Sequence, residues 1–197
     1  MKWKFKHSLG ILLTLTLLVG LFAGCSQGDT PSNSGTSAND RDSIVIATMS
    51  ETPSVHPADH NATAGSYMNL LTYNTLFRTD MEMNPVPDLV EDYENISESE
   101  WEFTIKTGVK FHDGSEMTVE DVKASLEWAK TFPEVSLYNS DIVSVDIVDD
   151  DTIKITTPGP DAMLLNNLCH HGNAIVPKAL IDSGHDFGEE PIGSGPY

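Results

Sequence analysis

The sequence predicts an α/β fold on three observations. In residues 101–106, Trp101, Phe103 and Ile105 alternate with Glu102, Thr104 and Lys106, the period-two pattern of a half-buried antiparallel strand. In residues 143–156, Val143, Val145 and Ile147, then Ile153 and Ile155, alternate with polar residues on either side of Asp149-Asp150-Asp151, which reads as a β-hairpin closed by a polar turn. Between these two patterns, residues 110–130 read as a strand end, a tight turn and a helix.

That middle unit is the best formed in the chain. Asp113-Gly114 supplies the positive φ that a tight turn needs, and His112 beside it is expected to hydrogen-bond to the turn. Thr118 followed three residues later by Asp121 reads as a capping box in which an acid stands in for the usual Glu. Val119, Val122, Leu126 and Ala129 then fall on one face of the helix, and Glu120, Lys123, Glu127 and Lys130 on the other.

From the N-terminus, Lys2, Lys4 and Lys6 precede an uncharged apolar run over residues 9–23, then Gly24-Cys25. A run of fifteen residues is short for a membrane span and suits the core of a signal peptide. Ala23 and Gly24 directly before a cysteine resemble a bacterial lipobox, with Phe22 where an aliphatic residue is usual, so residues 1–24 are expected to be removed and Cys25 lipidated. Residues 25–42 are rich in Ser, Gly, Asn and Asp and cannot bury enough apolar surface to order themselves; they read as a tether. A diacyl anchor and a spacer would hold the remainder at the outer face of a membrane.

Three of the eleven Lys and Arg and none of the thirty acids lie in the leader, so the rest carries eight positive against thirty negative residues, a net of −22 with histidine neutral. Acidity of this size keeps an exported protein soluble and makes nucleic acid an unsuitable partner. Cys25 and Cys169 are the two cysteines, so with Cys25 acylated there is no disulfide framework. Asn61-Ala62-Thr63 and Asn95-Ile96-Ser97 match glycosylation acceptors, discounted beside a bacterial-type leader.

Residues 43–48 read as a short β-branched strand, residues 49–63 as a loop with Pro53, Pro57 and three polar rings or acids at His56, Asp59 and His60, and residues 64–77 as a helix with Met68, Leu71, Thr75 and Leu76 on a shared face. Residues 85–94 read as a short helical turn leading into a strand. After the hairpin, Pro158-Gly159-Pro160-Asp161 stops the strand and starts a short helix with Met163, Leu164 and Leu168 in the core.

Several of these phrases, taken in order, resemble the family 5 extracellular solute-binding proteins, the peptide, dipeptide and nickel receptors of ABC importers. K-F-H-D-G, a three-residue gap and T-V-E-D-V-K-A-S-L at residues 110–126 carry the resemblance, with Leu76-Phe77, residues 85–94, Ile175-Val176-Pro177-Lys178 and Pro191-Ile192-Gly193-Ser194-Gly195-Pro196-Tyr197. At Val55-His56-Pro57 the family has aspartate where this chain has His56. The resemblance implies a periplasmic-binding-protein-like two-lobed receptor, of which this chain would hold part of the first lobe and its inserted small α+β domain: residues 43–77 in the first lobe, 78–172 in the inserted domain, and 173–197 returning to the first lobe, where the chain looks truncated. It implies capture of oligopeptides or dipeptides outside the membrane and delivery to an ABC permease and its ATPase. Nickel or another small solute, or a non-binding truncated lipoprotein, are the alternatives.

Candidate chemistry is sparse. Cys169-His170-His171 and the pair His56 and His60 have metal-ligand residue types, but His56 precedes a proline and adjacent histidines in a strand point to opposite faces, so no metal site is assigned. Gly193-Ser194-Gly195 fits neither a nucleophile elbow nor a phosphate loop and reads as a permissive turn. Asp149-Asp150-Asp151 lacks the spacing of a calcium loop. No catalytic residues and no cofactor are expected. The loop of residues 52–63 is expected to line the pocket, with His56, Asp59, His60, Asn61 and Thr63 as ligand-binding residues.

Overall fold

Alternating apolar residues and one well-capped helix build most of the core. The computed structural model describes Val45, Ala47 and residues 49–197. The predicted leader, Cys25 and the tether lie outside the described residues, as does the predicted strand at 43–48 apart from Val45 and Ala47. Among the described residues no helix is long and apolar enough to cross a membrane.

Strands β1 (Phe77–Thr79) and β2 (Pro85–Pro87) form an antiparallel ribbon with Arg78 opposite Val86. Strands β3 (Val90–Ser97), β4 (Glu100–Ile105), β5 (Ser144–Ile147) and β6 (Thr152–Thr156) form an antiparallel sheet in the order β3-β4-β6-β5. The two predicted β elements are both there: β4 pairs Phe103 with Ile153 and Trp101 with Ile155, and the hairpin pairs Val145 with Ile155. Helix α1 spans Thr63–Thr72, α2 Val119–Ala129, α3 Leu164–Asn167 and α4 Lys178–Ser183, with 3-10 turns at Ser136–Asn139 and His171–Asn173.

The sheet buries Phe103, Ile105, Val145, Ile153 and Ile155 in one cluster with Val119, Val122 and Leu126 of α2 and with Leu76, Phe77, Leu164, Leu168 and Ile175. Each such side chain contributes about 1.5–3 kcal/mol on leaving water. The capping box at α2 forms, and Asp121 does more than cap. Its Oδ2 accepts from Thr118 N–H and Oγ1, both at 2.8 Å, and its Oδ1 accepts from Lys178 N–H at 2.7 Å. One turn on, Ser125 Oγ donates to Val176 O and accepts from Val176 N–H, so the buried polar positions of α2 hold residues 176–178. Lys130, placed on the wet face by the pattern, is half-buried; its ammonium donates to Ile142 O at 2.7 Å and burial lowers its pKa.

Four local expectations are corrected. Helix α1 ends at Thr72, five residues early, because Tyr73 is extended and the next carbonyls are taken by segments outside the helix: Asn74 O accepts from Ile175 N–H, Thr75 O from Leu89 N–H and Leu76 O from Asp88 N–H. Met68 is accordingly exposed, and the helix buries Gly65 and Asn69 instead. The helical turn expected at the start of residues 85–94 is instead strand at Pro85–Pro87, since Pro85 and Pro87 fix φ and donate nothing, which suits an edge ribbon; a bend at 88–89 then leads into the expected strand, β3. Val143, Ile147 and Met163 are exposed beside buried Val145 and Leu164, at an edge strand and a helix start respectively.

Candidate functional site

The loop of residues 52–63 folds back on itself through side chains. Ser54 Oγ accepts from His56 N–H at 3.0 Å, and His56 Nδ1 accepts from Ala58 N–H at 3.1 Å. The His56 ring packs among Trp128, Phe132 and Phe187, with centroids 5.2, 5.0 and 6.1 Å away. Burial lowers the His56 pKa, against an opposing pull from Asp59 and Asp186. Farther along, Tyr73 Oη donates to Val55 O at 3.4 Å, and burial raises the Tyr73 pKa.

At the end of the loop three imidazoles gather although His60 lies more than a hundred residues from its partners. His60 is buried, accepts at Nδ1 from Ala62 N–H at 3.2 Å, and covers Gly65 so closely that a Cβ there would sit 2.1 Å from His60 Cε1. The His171 ring stacks on His60 at 5.3 Å and lies 4.2 Å from His170. His171 Nε2 donates to His60 O at 3.2 Å, and its Nδ1 lies 3.1 Å from Ser66 Oγ, whose hydroxyl also reaches Ala62 O at 3.2 Å. His170 stacks on Tyr138 at 3.6 Å, accepts at Nδ1 from Gly172 N–H and meets Asn61 Oδ1 through Nε2, both at 3.1 Å. Asn61 Nδ2 in turn donates to Tyr138 Oη at 3.2 Å. Burial, and then the neighbouring His171 and His60, push the His170 pKa down to about 3; burial also lowers that of His171.

The predicted site residues therefore divide. Asp59, Asn61 and Thr63 are exposed on the loop, whereas His56 is half-buried among aromatic rings and His60 is buried. Tyr138, Ser66 and Asn69 are part of the arrangement and carried no local signal. His170 and His171 are not on opposite faces of a strand; they enter a tight turn and their rings face each other. Their nitrogens are taken by hydrogen bonds, and among the described residues no three His, Cys, Asp or Glu side chains are placed to hold a metal ion. The Ser66 and His171 contact has a backbone carbonyl, not a carboxylate, behind the imidazole, so the pair lacks the orienting acid of a nucleophilic triad.

His112 is also corrected. Its backbone N–H donates to Gly193 O at 2.8 Å, its Nε2 meets Gly195 O at 2.8 Å and its Nδ1 accepts from Gly193 N–H at 3.3 Å, while the Asp113-Gly114 turn is closed by Asp113 Oδ1 and Ser115. Gly193 and Gly195 are small because the chain passes against α1: a Cβ on Gly193 would lie 2.2 Å from Thr72 O, and one on Gly195 2.5 Å from Leu71 O. Closeness, rather than a left-handed φ, is what those glycines supply.

The profile of the family described as bacterial extracellular solute-binding proteins, family 5 Middle, matches residues 84–197. This chain belongs to that family. The glutathione-binding protein GsiB of Salmonella choleraesuis (strain SC-B67) is 35% identical over 161 residues, which cover 78% of this chain and 31% of that protein. Among solved structures, AgaA of A. tumefaciens R10 in complex with agropinic acid superposes with a TM-score of 0.67 at 28% identity, over 74% of this chain and 30% of that one. NikZ of Campylobacter jejuni in complex with Ni(L-His) gives 0.64 at 28% identity, over 75% and 31%. The chain thus spans about 31% of the length of the curated relatives it matches, and its fold is a segment of a periplasmic binding protein. The family 5 phrases meet in space: Leu76 O accepts from Asp88 N–H, Asp121 holds Lys178, and His112 holds Gly193 and Gly195.

Proposed function

We propose that this chain is part of the substrate-binding lipoprotein of an ABC importer, which takes up oligopeptides or dipeptides outside the membrane and hands them to a permease and its ATPase. Membership of family 5, carried by the match over residues 84–197, is the observation that supports this reading. Residues 43–77 and 173–197 would belong to the first lobe and 78–172 to an inserted domain. In this proposal the loop of residues 52–63 is a wall of the binding cleft. Asp59, Asn61 and Thr63 offer exposed polar groups to a solute, and His56 and His60 shape the loop from behind. The mechanism is binding and closure, with no bond made or broken.

The test is thermal unfolding of the product of the whole reading frame against di- to pentapeptides, glutathione, Ni(L-His) and agropinic acid. A solute present at a hundred times its Kd stabilises by about 2.7 kcal/mol. Stabilisation by peptides is the expected result. Stabilisation by Ni(L-His) alone moves the protein to the nickel reading, which the similarity to NikZ supports. No stabilisation by any solute removes the transport proposal and leaves a non-binding surface lipoprotein.

The anchor is proposed at Cys25. Metabolic labelling with a tagged palmitate in a bacterial host is expected to mark the wild-type chain and not Cys25→Ala, and the unlabelled variant is expected in the soluble extracytoplasmic fraction. Equal labelling of both would sink the lipoprotein reading.

A further inference from the structure

We propose that Met81 and Met83 form a binding site for a soft monovalent cation, copper(I) or silver(I), at the tip of the ribbon of β1 and β2. The site uses none of the residues of the loop 52–63 and stands whatever solute the protein takes.

The ribbon closes through a three-residue loop, Met81-Glu82-Met83. Asp80 N–H donates to Asn84 O at 3.0 Å and Met83 N–H donates to Asp80 O at 3.1 Å, while Asp80 Oδ1 accepts from Glu82 N–H and Asn84 N–H, both at 2.8 Å. The backbone of the tip is thus fixed from its base. A loop of this kind needs its last residue in the left-handed region, where Gly is favoured. Met83 stands there with φ of 68°, the one non-glycine with positive φ among the described residues.

Neither methionine serves the fold. Met81 is 100% exposed and Met83 76%, against 4% for Met117 in the core. A methionine left in water gains no burial energy, and one held at positive φ carries a steric cost besides. Such an outlier points to a use outside the fold.

What the pair offers is two thioethers. Thioether sulfur is a soft, uncharged donor that selects soft cations such as copper(I), whereas magnesium and calcium ions prefer oxygen. The ends of a closed turn lie within about 7 Å of each other, and the methionine side chain is unbranched and flexible, so both sulfurs reach one ion. Glu82 is exposed between them, and the Asn84 N–H lowers the pKa of Asp80, so the tip carries negative charge that draws a cation in.

The test is titration of the whole chain with silver(I) nitrate in chloride-free buffer. The chain is labelled with [13C-methyl]methionine and carries Cys25→Ala and Cys169→Ala, so that no thiol competes. The Met81 and Met83 methyl signals are expected to shift together with one Kd, complete at one equivalent. Met68 and Met163, exposed but solitary, are expected to need about tenfold more silver or beyond. Separate Kd values at Met81 and Met83, or a shift in step with Met163, would mean thioethers acting singly and overturns the site. Met83→Gly, which suits the positive φ and so keeps the turn, is expected to weaken silver binding at Met81 by about tenfold or more. Met81→Leu is expected to do the same at Met83, and an unchanged Kd at the remaining methionine refutes chelation. Copper(I) under anaerobic reducing conditions is expected to move the same two signals, and nickel(II) at equal concentration to leave them in place. A shift with nickel(II), or none with copper(I), sinks the soft-cation assignment.

Discussion

The sheet with α2 buries Phe103, Ile153, Ile155, Val122 and Leu126 completely, whereas the loop of residues 52–63 is tied down by imidazoles, hydroxyls and backbone amides. The first region is held by apolar area, a force without direction and without pH dependence. The second depends on individual donor and acceptor atoms, so it answers to single-atom changes and to acid. Side by side, the two show one chain dividing its labour: a scaffold that tolerates its surroundings, and a segment whose position is conditional.

The most severe break in that comparison is expected in the scaffold. Phe103→Ala empties the centre of the core and is expected to cost about 3–5 kcal/mol in urea unfolding; a loss below 1 kcal/mol would mean that the sheet is not the principal source of stability. Next comes the seam beneath α1. Gly193→Ala sets a methyl group against Thr72 O and is expected to cost about 1–3 kcal/mol, while Gly159→Ala, with nothing within 4 Å of the new Cβ, is expected to be silent in the same assay. Loss of the α2 cap in Thr118→Ala is expected to cost about 1 kcal/mol.

The smallest effect sharpens the contrast by fluorescence. Trp128 lies against His56, while Trp101 stacks with Tyr93 and Phe103 on the sheet. The His56 pKa is lowered in the fold, so its neutral form is favoured, and the stability it contributes is full above the ordinary value of 6.5 and declines as pH falls below it. Acidification from pH 7.5 to 5 is expected to dim Trp128 in Trp101→Phe and to leave Trp101 nearly constant in Trp128→Phe. Equal dimming of both would erase the distinction between the regions.

Legibility in the sequence follows the same division. Periodicity reports burial across one element, so β4, the β5 to β6 hairpin and the apolar face of α2 could be read from alternation and from the Thr118 and Asp121 pair. It fails where a partner elsewhere decides the conformation. Residues 74–76 leave the helix because Asp88, Leu89 and Ile175 take their carbonyls, and β3, acidic along its length, is a strand because β4 pairs with it. The loop could be read as a polar loop, and Asp59, Asn61 and Thr63 as its exposed residues. Its fastening could not, since Asn61 finds His170 across 109 positions and Tyr138 across 77. His112 looked local because a turn follows it, yet its partners lie more than eighty residues away.

The seam that joins Thr72, His112 and Gly193 also sets a schedule. A chain that emerges N-terminus first, from a ribosome or a secretion channel, can form the sheet once residue 156 is free. The seam waits for residues 193–195, and closing loops of this length is entropically costly and slow. Until then the C-terminal end of α1 lacks the segment that crosses it, and a chaperone or a translocase meets a polypeptide with a finished sheet and an open flank.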